Sequence, residues 1–309
     1  MSYAAVFPGQ GSQSTGMLSA LAEAYPVVRD TFAEASDALG YDLAALIRDN
    51  PEGRLDRTEY TQPALLAAGV AAWRAWRSEG GPDPVALAGH SLGEYTALVA
   101  AEALDFPVAL RLVRERGRLM QAAVPEGSGA MAAVLGLDDT AVIALCEALA
   151  PGVEAVNFNA PGQVVIAGLR EKVAAVAERA AQAGAKRVVM LPVSVPSHSS
   201  LMREAAERLA EHVHAAGLRP PRWPVLHNVD ARPRAEAGAI AEALVRQLHQ
   251  PVRWTDSVRA LAAEGVDALV EFGPGRVLSG LCRRIDRSLK AYPVEDPQTL
   301  QTALDNLGV

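Results

Sequence analysis

The sequence predicts an α/β protein built on a mostly parallel sheet, with a second, smaller unit inserted into it. Three observations carry this expectation. Short β-type runs alternate with long amphipathic stretches rich in Ala, Leu, Glu and Arg, the pattern of strands joined by covering helices. Three of the runs end in glycine turns, at Gly9, Gly89 and Gly273, and the carboxyl ends of parallel strands are where such folds place their sites. Between residues 128 and 194 the element order changes to βαββαβ, that of a ferredoxin-like unit.

Taken in order, AAVFPG from residue 4, VALAG at 85–89 and ALVEFG at 268–273 read as strands of the larger sheet. The inserted unit opens with the strand AMAAVLGL and a helix from Asp138 to Ala150, with Asp138 or Asp139 as N-cap and Pro151-Gly152 as the stop. The strands VEAVNFN and QVVIAG follow, joined by the hairpin signal Asn159-Ala160-Pro161-Gly162. The helix LREKVAAVAERAAQAG and the strand KRVVMLPV complete it. Residues 1–127 and 195–309 are therefore expected to form one large domain and 128–194 an inserted subdomain, with a cleft between them. The tail after about Pro293 is expected to be peripheral.

Half of the 309 residues are hydrophobic, enough for a large core, and the aromatic share of only 5% suits closely packed, alanine-rich helices. No run approaches the twenty or so apolar residues that a membrane helix needs, and the start MSYAAVFPGQGSQ is unlike a signal peptide. Cys146 and Cys282 lie inside apolar helical patterns and read as buried free thiols, so a cytoplasmic protein is expected. The net charge of −7 argues against nucleic-acid binding. One stretch, Arg276 to Lys290, is nonetheless basic, with Arg276, Arg283, Arg284, Arg287 and Lys290 near helical spacing. It reads either as a solvated helix face or as a landing surface for something acidic. No metal-ligand spacing is present among the histidines and cysteines.

Gly89-His90-Ser91-Leu92-Gly93 is a G-x-S-x-G sequence after an apolar run and before the helical stretch EYTALVAAEAL. That is a nucleophile elbow: glycines permit the sharp turn, the serine sits at its tip, and the following helix aims N–H groups at developing negative charge. It makes the larger domain α/β-hydrolase-like. A serine hydroxyl needs a base. Of the six histidines, His212 and His214 lie in a polar helical stretch, His227 and His249 read as structural, and His90 is turned aside by the elbow. His198 follows the last strand of the inserted unit, at the proposed cleft. By pattern alone Arg116 is one of four arginines, with Arg111, Arg114 and Arg118, on a helix and reads as exposed.

GHSLGEY around Ser91, FPGQGSQ at 7–13 and VSVPSHSSLM at 193–202 strongly resemble the malonyl-CoA:acyl carrier protein transacylases of bacterial type II fatty-acid synthesis. So do ERGRLMQ around Arg116, YTQPAL around Gln62 and VEFGPGRVLSGL near residue 273, and the likeness runs from residue 4 to about 285. The resemblance implies Ser91 as the nucleophile that forms a malonyl ester and His198 as general base and acid, oriented by the backbone carbonyl of Gln247 rather than by an aspartate. It implies the backbone N–H groups of Gln10 and Leu92 as the oxyanion hole, Arg116 as the grip on the malonyl carboxylate, and Gln62 as a lining residue of the same pocket. It implies malonyl-CoA and phosphopantetheinylated acyl carrier protein as partners, and no cofactor or metal. Two departures stand out: Gln250-Pro251-Val252 replaces the family's Asn-Pro-Val, and Ser197 stands where polyketide relatives carry phenylalanine, which favours the fatty-acid branch. Two other readings of the residues exist. One is a serine hydrolase with the same elbow, for which no aspartate is evident. The other is a dinucleotide-binding protein, whose fingerprint at Gly9-Gln10-Gly11 breaks at Ser14.

Overall fold

The computed structural model describes residues 1–125, 127–193 and 195–308. Among the described residues the nine strands in chain order are β1 (Tyr3–Phe7), β2 (Ala86–Gly89), β3 (Gly129–Leu135), β4 (Val153–Ala160), β5 (Gln163–Leu169), β6 (Arg187–Met190), β7 (Val225–Leu226), β8 (Ala268–Phe272) and β9 (Lys290–Val294). They form two sheets. The first has the order β7-β2-β1-β8-β9, and its four pairings are all parallel.

β1 shows why this sheet must be covered on both faces. Its five residues are buried, and their alternation divides them between two cores. Tyr3, Ala5 and Phe7 join the larger cluster, against Trp73 and Trp76 of the helix Thr58–Ser78. Ala4 and Val6 join a second cluster with Trp254, Val258, Leu278 and Leu281 from the helices Trp254–Ala263 and Val277–Ile285. A strand buried on both faces reads as a continuous apolar run, which is what the sequence has here.

The second sheet has the order β4-β5-β3-β6 and is antiparallel throughout. With the helices Asp139–Glu147 and Arg170–Gln182 it is the βαββαβ arrangement expected from the sequence. Asp138 caps the first of these helices by accepting from the Ala141 N–H at 2.7 Å. Along β3, Ala130, Ala132 and Val134 face the helices. Met131 faces the other way, with Val156, Val165 and Ala167, toward the larger body. The sheet thus presents a helix-free apolar face as one wall of a cleft. Ser194, where the sequence reading closes this unit, lies outside the described residues.

Three expectations change. The chain after Pro293 is structural rather than peripheral. β9 completes the parallel sheet with Ala268 opposite Lys290 and Phe272 opposite Val294, and the helix Pro297–Leu307 buries Leu300, Ala303, Leu304 and Leu307. Asp296 and Thr299 make a reciprocal capping box that starts this helix. The basic stretch is not one helix face either: the helix ends at Ile285, so Arg287 and Lys290 lie beyond it. Finally, the larger sheet has a strand beyond those expected from the sequence, the two-residue β7, which stands at its edge next to β2.

No described helix is long and apolar enough to cross a membrane.

Candidate active site

β1 and β2 end together, Phe7 beside Gly89, and the chain turns sharply after each. At the elbow after β2 the two glycines are required by close approach. A Cβ on Gly89 would stand 1.9 Å from the carbonyl carbon of Gly93, and one on Gly93 would stand 2.0 Å from the Phe7 carbonyl oxygen. Between them Ser91 holds a left-handed backbone, with φ 52°, a conformation costing about 1–3 kcal/mol that surrounding structure must hold. The helix Gly93–Ala100 follows at once.

His198 arrives from the other side of the cleft, also with positive φ, 64°. Its place is set by the end of the helix Ala237–His249, whose last carbonyls have no partner within the helix. The His198 backbone N–H donates to the Leu248 carbonyl at 3.1 Å, and ring Nδ1 stands 2.7 Å from the Gln247 carbonyl. That carbonyl can only accept, so Nδ1 carries the proton and Nε2 presents its lone pair. Nε2 stands 2.7 Å from Ser91 Oγ. The ring is thus held through the Gln247 carbonyl, with no carboxylate on it among the described residues. Burial, and then the neighbouring Arg116 charge, push the His198 pKa down from 6.5 to about 3. The ring is neutral and able to accept a proton at ordinary pH.

Arg116 departs from the pattern-only reading. It is 1% exposed. Nη1 donates to Gln62 Oε1 at 2.8 Å, and Nη2 donates to Gln247 Oε1 at 3.0 Å and to Ser91 Oγ at 3.3 Å. The Tyr95 ring lies 5.5 Å from its Cζ. No carboxylate pairs with it among the described residues. A buried cation held only by neutral oxygens is electrostatically incomplete. It stands beside the Ser91 hydroxyl.

The cleft around these groups is a cavity of about 160 Å³, floored by Gln10, Ser91, Leu92, Arg116 and His198 and walled by Met131, Val165 and Leu191 of the inserted unit. Gln10 reaches Thr58 Oγ1 through its side chain at 3.4 Å. Neither the Gln10 nor the Leu92 backbone N–H has a protein acceptor among the described residues. Gln62 and Gln247 are fully buried behind Arg116 rather than lining the cavity. His90 is turned away from Ser91 Oγ, and its Nε2 meets Asn159 Oδ1 of β4 at 2.8 Å, tying the elbow to the inserted unit.

Two neighbours of the elbow, Glu94 and Asn228, stand out in no sequence pattern, and a third, His227, reads there only as structural. Glu94, His227 and Asn228 are all buried behind it, at most 1% exposed. The signals were faint: an acid inside an apolar helix start, and a polar pair just after a two-residue strand. The basic residues Arg276, Arg283, Arg284, Arg287 and Lys290 take no part. All five are exposed and absent from the cavity lining; Arg276 follows the carboxyl end of β8, whereas Lys290 begins β9 at the amino ends of the parallel strands, away from the carboxyl ends that carry Ser91.

Known proteins resemble this chain along nearly its whole length. The model of the acyl transferase domain matches residues 5–298. The malonyl CoA-acyl carrier protein transacylases of Salmonella typhimurium and of Escherichia coli strain K12 are each 53% identical to the chain, over 98% of it and over 98% and 99% of their own lengths. Among solved structures, a malonyl-transacylase in complex with its holo type II PKS acyl-carrier protein is 54% identical, with a TM-score of 0.97 over 99% of this chain and all of the other. The malonyl CoA-acyl carrier protein transacylase of Coxiella burnetii is 46% identical, with a TM-score of 0.98 over all of this chain and 98% of its own. A serine hydrogen-bonded to a buried histidine, beside an arginine with no carboxylate partner among the described residues, in a chain matched from end to end by such relatives, leads to one assignment: the chain belongs to the acyl transferase family, among the malonyl CoA-acyl carrier protein transacylases.

Proposed function

We propose that this protein is a malonyl-CoA:acyl carrier protein S-malonyltransferase that supplies fatty-acid biosynthesis by a ping-pong mechanism, with Ser91 as nucleophile and His198 as general base and acid. The observation that carries the reading is Arg116, a buried guanidinium with only neutral partners, 3.3 Å from the serine hydroxyl. A fork of N–H donors binds a carboxylate through two parallel hydrogen bonds. An acyl group with its own carboxylate, such as malonyl, meets that need, and acetyl does not.

In the first half-reaction the Ser91 hydroxyl gives its proton to His198 Nε2 as Oγ attacks the thioester carbonyl of malonyl-CoA. The resulting oxyanion rests on the N–H groups of Gln10 and Leu92, each worth roughly 2.7–4 kcal/mol in such sites. The C–S bond breaks, the CoA sulfur takes the proton back from His198, and malonyl remains on Ser91 as an ester. The thiol of phosphopantetheinylated acyl carrier protein then gives its proton to His198, attacks the ester and leaves as the malonyl thioester, with the proton returned to Ser91. The carboxyl end of the helix Ala237–His249, through the Gln247 carbonyl, favours the imidazolium formed midway. The enzyme needs no cofactor of its own for these steps. Gln62 and Gln247 hold the guanidinium in place from behind.

The same reading divides the chain into a catalytic domain of residues 1–127 and 195–309 and an inserted subdomain of 128–194 that walls the acyl pocket. Two free, buried cysteines fit a cytoplasmic protein.

Intact mass after incubation with malonyl-CoA alone tests this. The expected result is one malonyl adduct per molecule, absent from Ser91→Ala. Steady CoA release without an adduct and without an acceptor thiol would replace the transferase with a hydrolase.

A further inference from the structure

The elbow rests on a buried polar cluster that the reaction above does not use. Ser91 needs support because its backbone is left-handed. Asn228 provides it from both sides of the turn: Oδ1 accepts from the Ser91 N–H at 2.7 Å, and Nδ2 donates to the Gly89 carbonyl at 2.6 Å. The side chain thus clamps residues 89 and 91 across the elbow. It also engages the Ser91 N–H, so the Leu92 N–H is the one that the elbow leaves for an oxyanion.

Behind Asn228 stands the Glu94 carboxylate, with no solvent exposure. It has three partners. Oε1 lies 2.7 Å from His227 Nδ1, while Oε2 accepts from the Asn228 N–H at 2.9 Å and from Gln247 Nε2 at 3.0 Å. An ionised carboxylate can only accept, so each facing group must donate. This fixes the proton of His227 on Nδ1. More consequentially, it fixes the amide of Gln247. With Nε2 turned to Glu94 and to the Ser91 carbonyl at 2.8 Å, Oε1 must face Arg116. A reversed amide would set an NH₂ group against a guanidinium. One buried carboxylate thereby determines how Gln247 holds Arg116, and supports the residue that holds Ser91.

We propose that Glu94 and Asn228 are positioning residues for acyl transfer, Asn228 acting through the Ser91 backbone and Glu94 acting through Gln247 on Arg116 as well as through Asn228. The proposal rests on the acyl-transfer reading, and its test is chosen to separate the two. Pre-steady-state acylation by malonyl-CoA and phosphonylation of Ser91 by a fluorophosphonate, which has no carboxylate for Arg116, are measured per folded molecule in wild type, Asn228→Ala and Glu94→Gln. Asn228→Ala loses about 10²-fold in the acylation rate constant, the scale of a misplacement near 1 Å. KM for malonyl-CoA is little changed, and the fluorophosphonate rate falls in parallel. Glu94→Gln, which replaces a charged acceptor of the Gln247 amide by a neutral one, loses more with malonyl-CoA than with the fluorophosphonate. A lower melting temperature with both rates intact in the folded fraction would overturn the proposal, and so would a rise in KM alone. If Asn228→Ala does not fold, the contrast in Glu94→Gln decides: equal loss with both reagents, or none, overturns the role through Arg116. A wild type that reacts with the fluorophosphonate but takes no malonyl would sink the acyl-transfer reading instead, leaving the Asn228 comparison standing.

Discussion

Two helices of this protein carry clustered arginines, and their fates differ. The helix Phe106–Ala122 bears Arg111, Arg114, Arg116 and Arg118, and the helix Val277–Ile285 bears Arg283 and Arg284, with Arg276, Arg287 and Lys290 close by. In the second group all five are exposed, and two have local partners: Arg276 pairs with Glu295, and Arg284 donates to Gln163. In the first, Arg118 is exposed and pairs with Glu115 one turn back, whereas Arg116 points inward to two glutamines and a serine. Charge density along the chain does not separate these cases. What separates them is helix packing. Arg116 falls on the same side as Leu112, Val113, Leu119 and Met120, and the adjacent Gly117 lets the helix press against Thr58–Ser78. A Cβ there would stand 2.7 Å from the Thr58 carbonyl oxygen. That approach brings Gln62 to Arg116. An arginine in water is a surface charge, and the same arginine buried without a carboxylate lacks the counter-charge that would offset its desolvation.

The largest expected effect tests that contrast directly. Arg116→Ala should lose roughly 10²–10³-fold in malonyl acylation, the scale of removing one partner of a buried, hydrogen-bonded charge pair. It should shift the variant's relative preference toward acetyl-CoA. Arg116→Lys should not restore malonyl transfer, because a single ammonium cannot reproduce the fork. Self-acylation from malonyl-CoA and from acetyl-CoA, compared by intact mass over time, measures both. Unchanged malonyl preference in Arg116→Ala would end the comparison between the two helices.

How much of this was legible in the sequence follows from the range of the contacts. The elbow was legible because strand, turn and helix are contiguous, as were the alternating order of the inserted unit and the place of His198 after its last strand. Arg116 was not. Its periodicity alone put it among four similar arginines, and only resemblance singled it out. The cluster of Glu94, His227, Asn228 and Gln247 was invisible to pattern, since Asn228 meets Ser91 across 137 positions of chain. The strand that delivers Asn228, β7, has two residues, too short for any alternation to register. β9 carries Pro293, a residue that argues against a strand interior, and it is accommodated because β9 is the sheet edge.

A smaller but sharper test is the pH dependence of His198. Burial first, and then Arg116, lower its pKa to about 3. The acid limb of kcat/KM for acylation should therefore lie well below the ordinary histidine value, 6.5. In Arg116→Met the second-largest of the causes that lower it is removed, so the limb should move up, although the absolute rate with malonyl-CoA is low. Stability has a defined sign too. The folded pKa lies below the unfolded one, so as pH falls through 6.5 the unfolded state takes up a proton that the folded state refuses, and stability declines until about pH 3. His198→Gln should show a flatter melting temperature between those limits. A wild-type acid limb near 6.5 that Arg116→Met leaves in place would mean that Arg116 does not act on the imidazole.

The smallest expected effect belongs to the exposed helix. Arg283→Glu, Arg287→Glu and Lys290→Glu combined should leave self-acylation unchanged, since these side chains are exposed and lie at or near the amino edge of the sheet, whereas Ser91 lies at the carboxyl edge. Exposed charges contribute about 0–1 kcal/mol each to an ion pair and are screened by salt. Transfer to acyl carrier protein should therefore show a KM within about fivefold of wild type at physiological ionic strength. A carrier that reaches Ser91 with its thiol must approach the open side of the cleft, between the elbow and the inserted sheet, and Lys290 lies at the opposite, amino edge of the parallel sheet. A KM rise of tenfold or more that vanishes at high salt, with self-acylation intact, would show that carrier docking extends around the sheet to this edge. The two arginine helices would then serve one acceptor from opposite ends, one gripping the acyl group and the other its carrier.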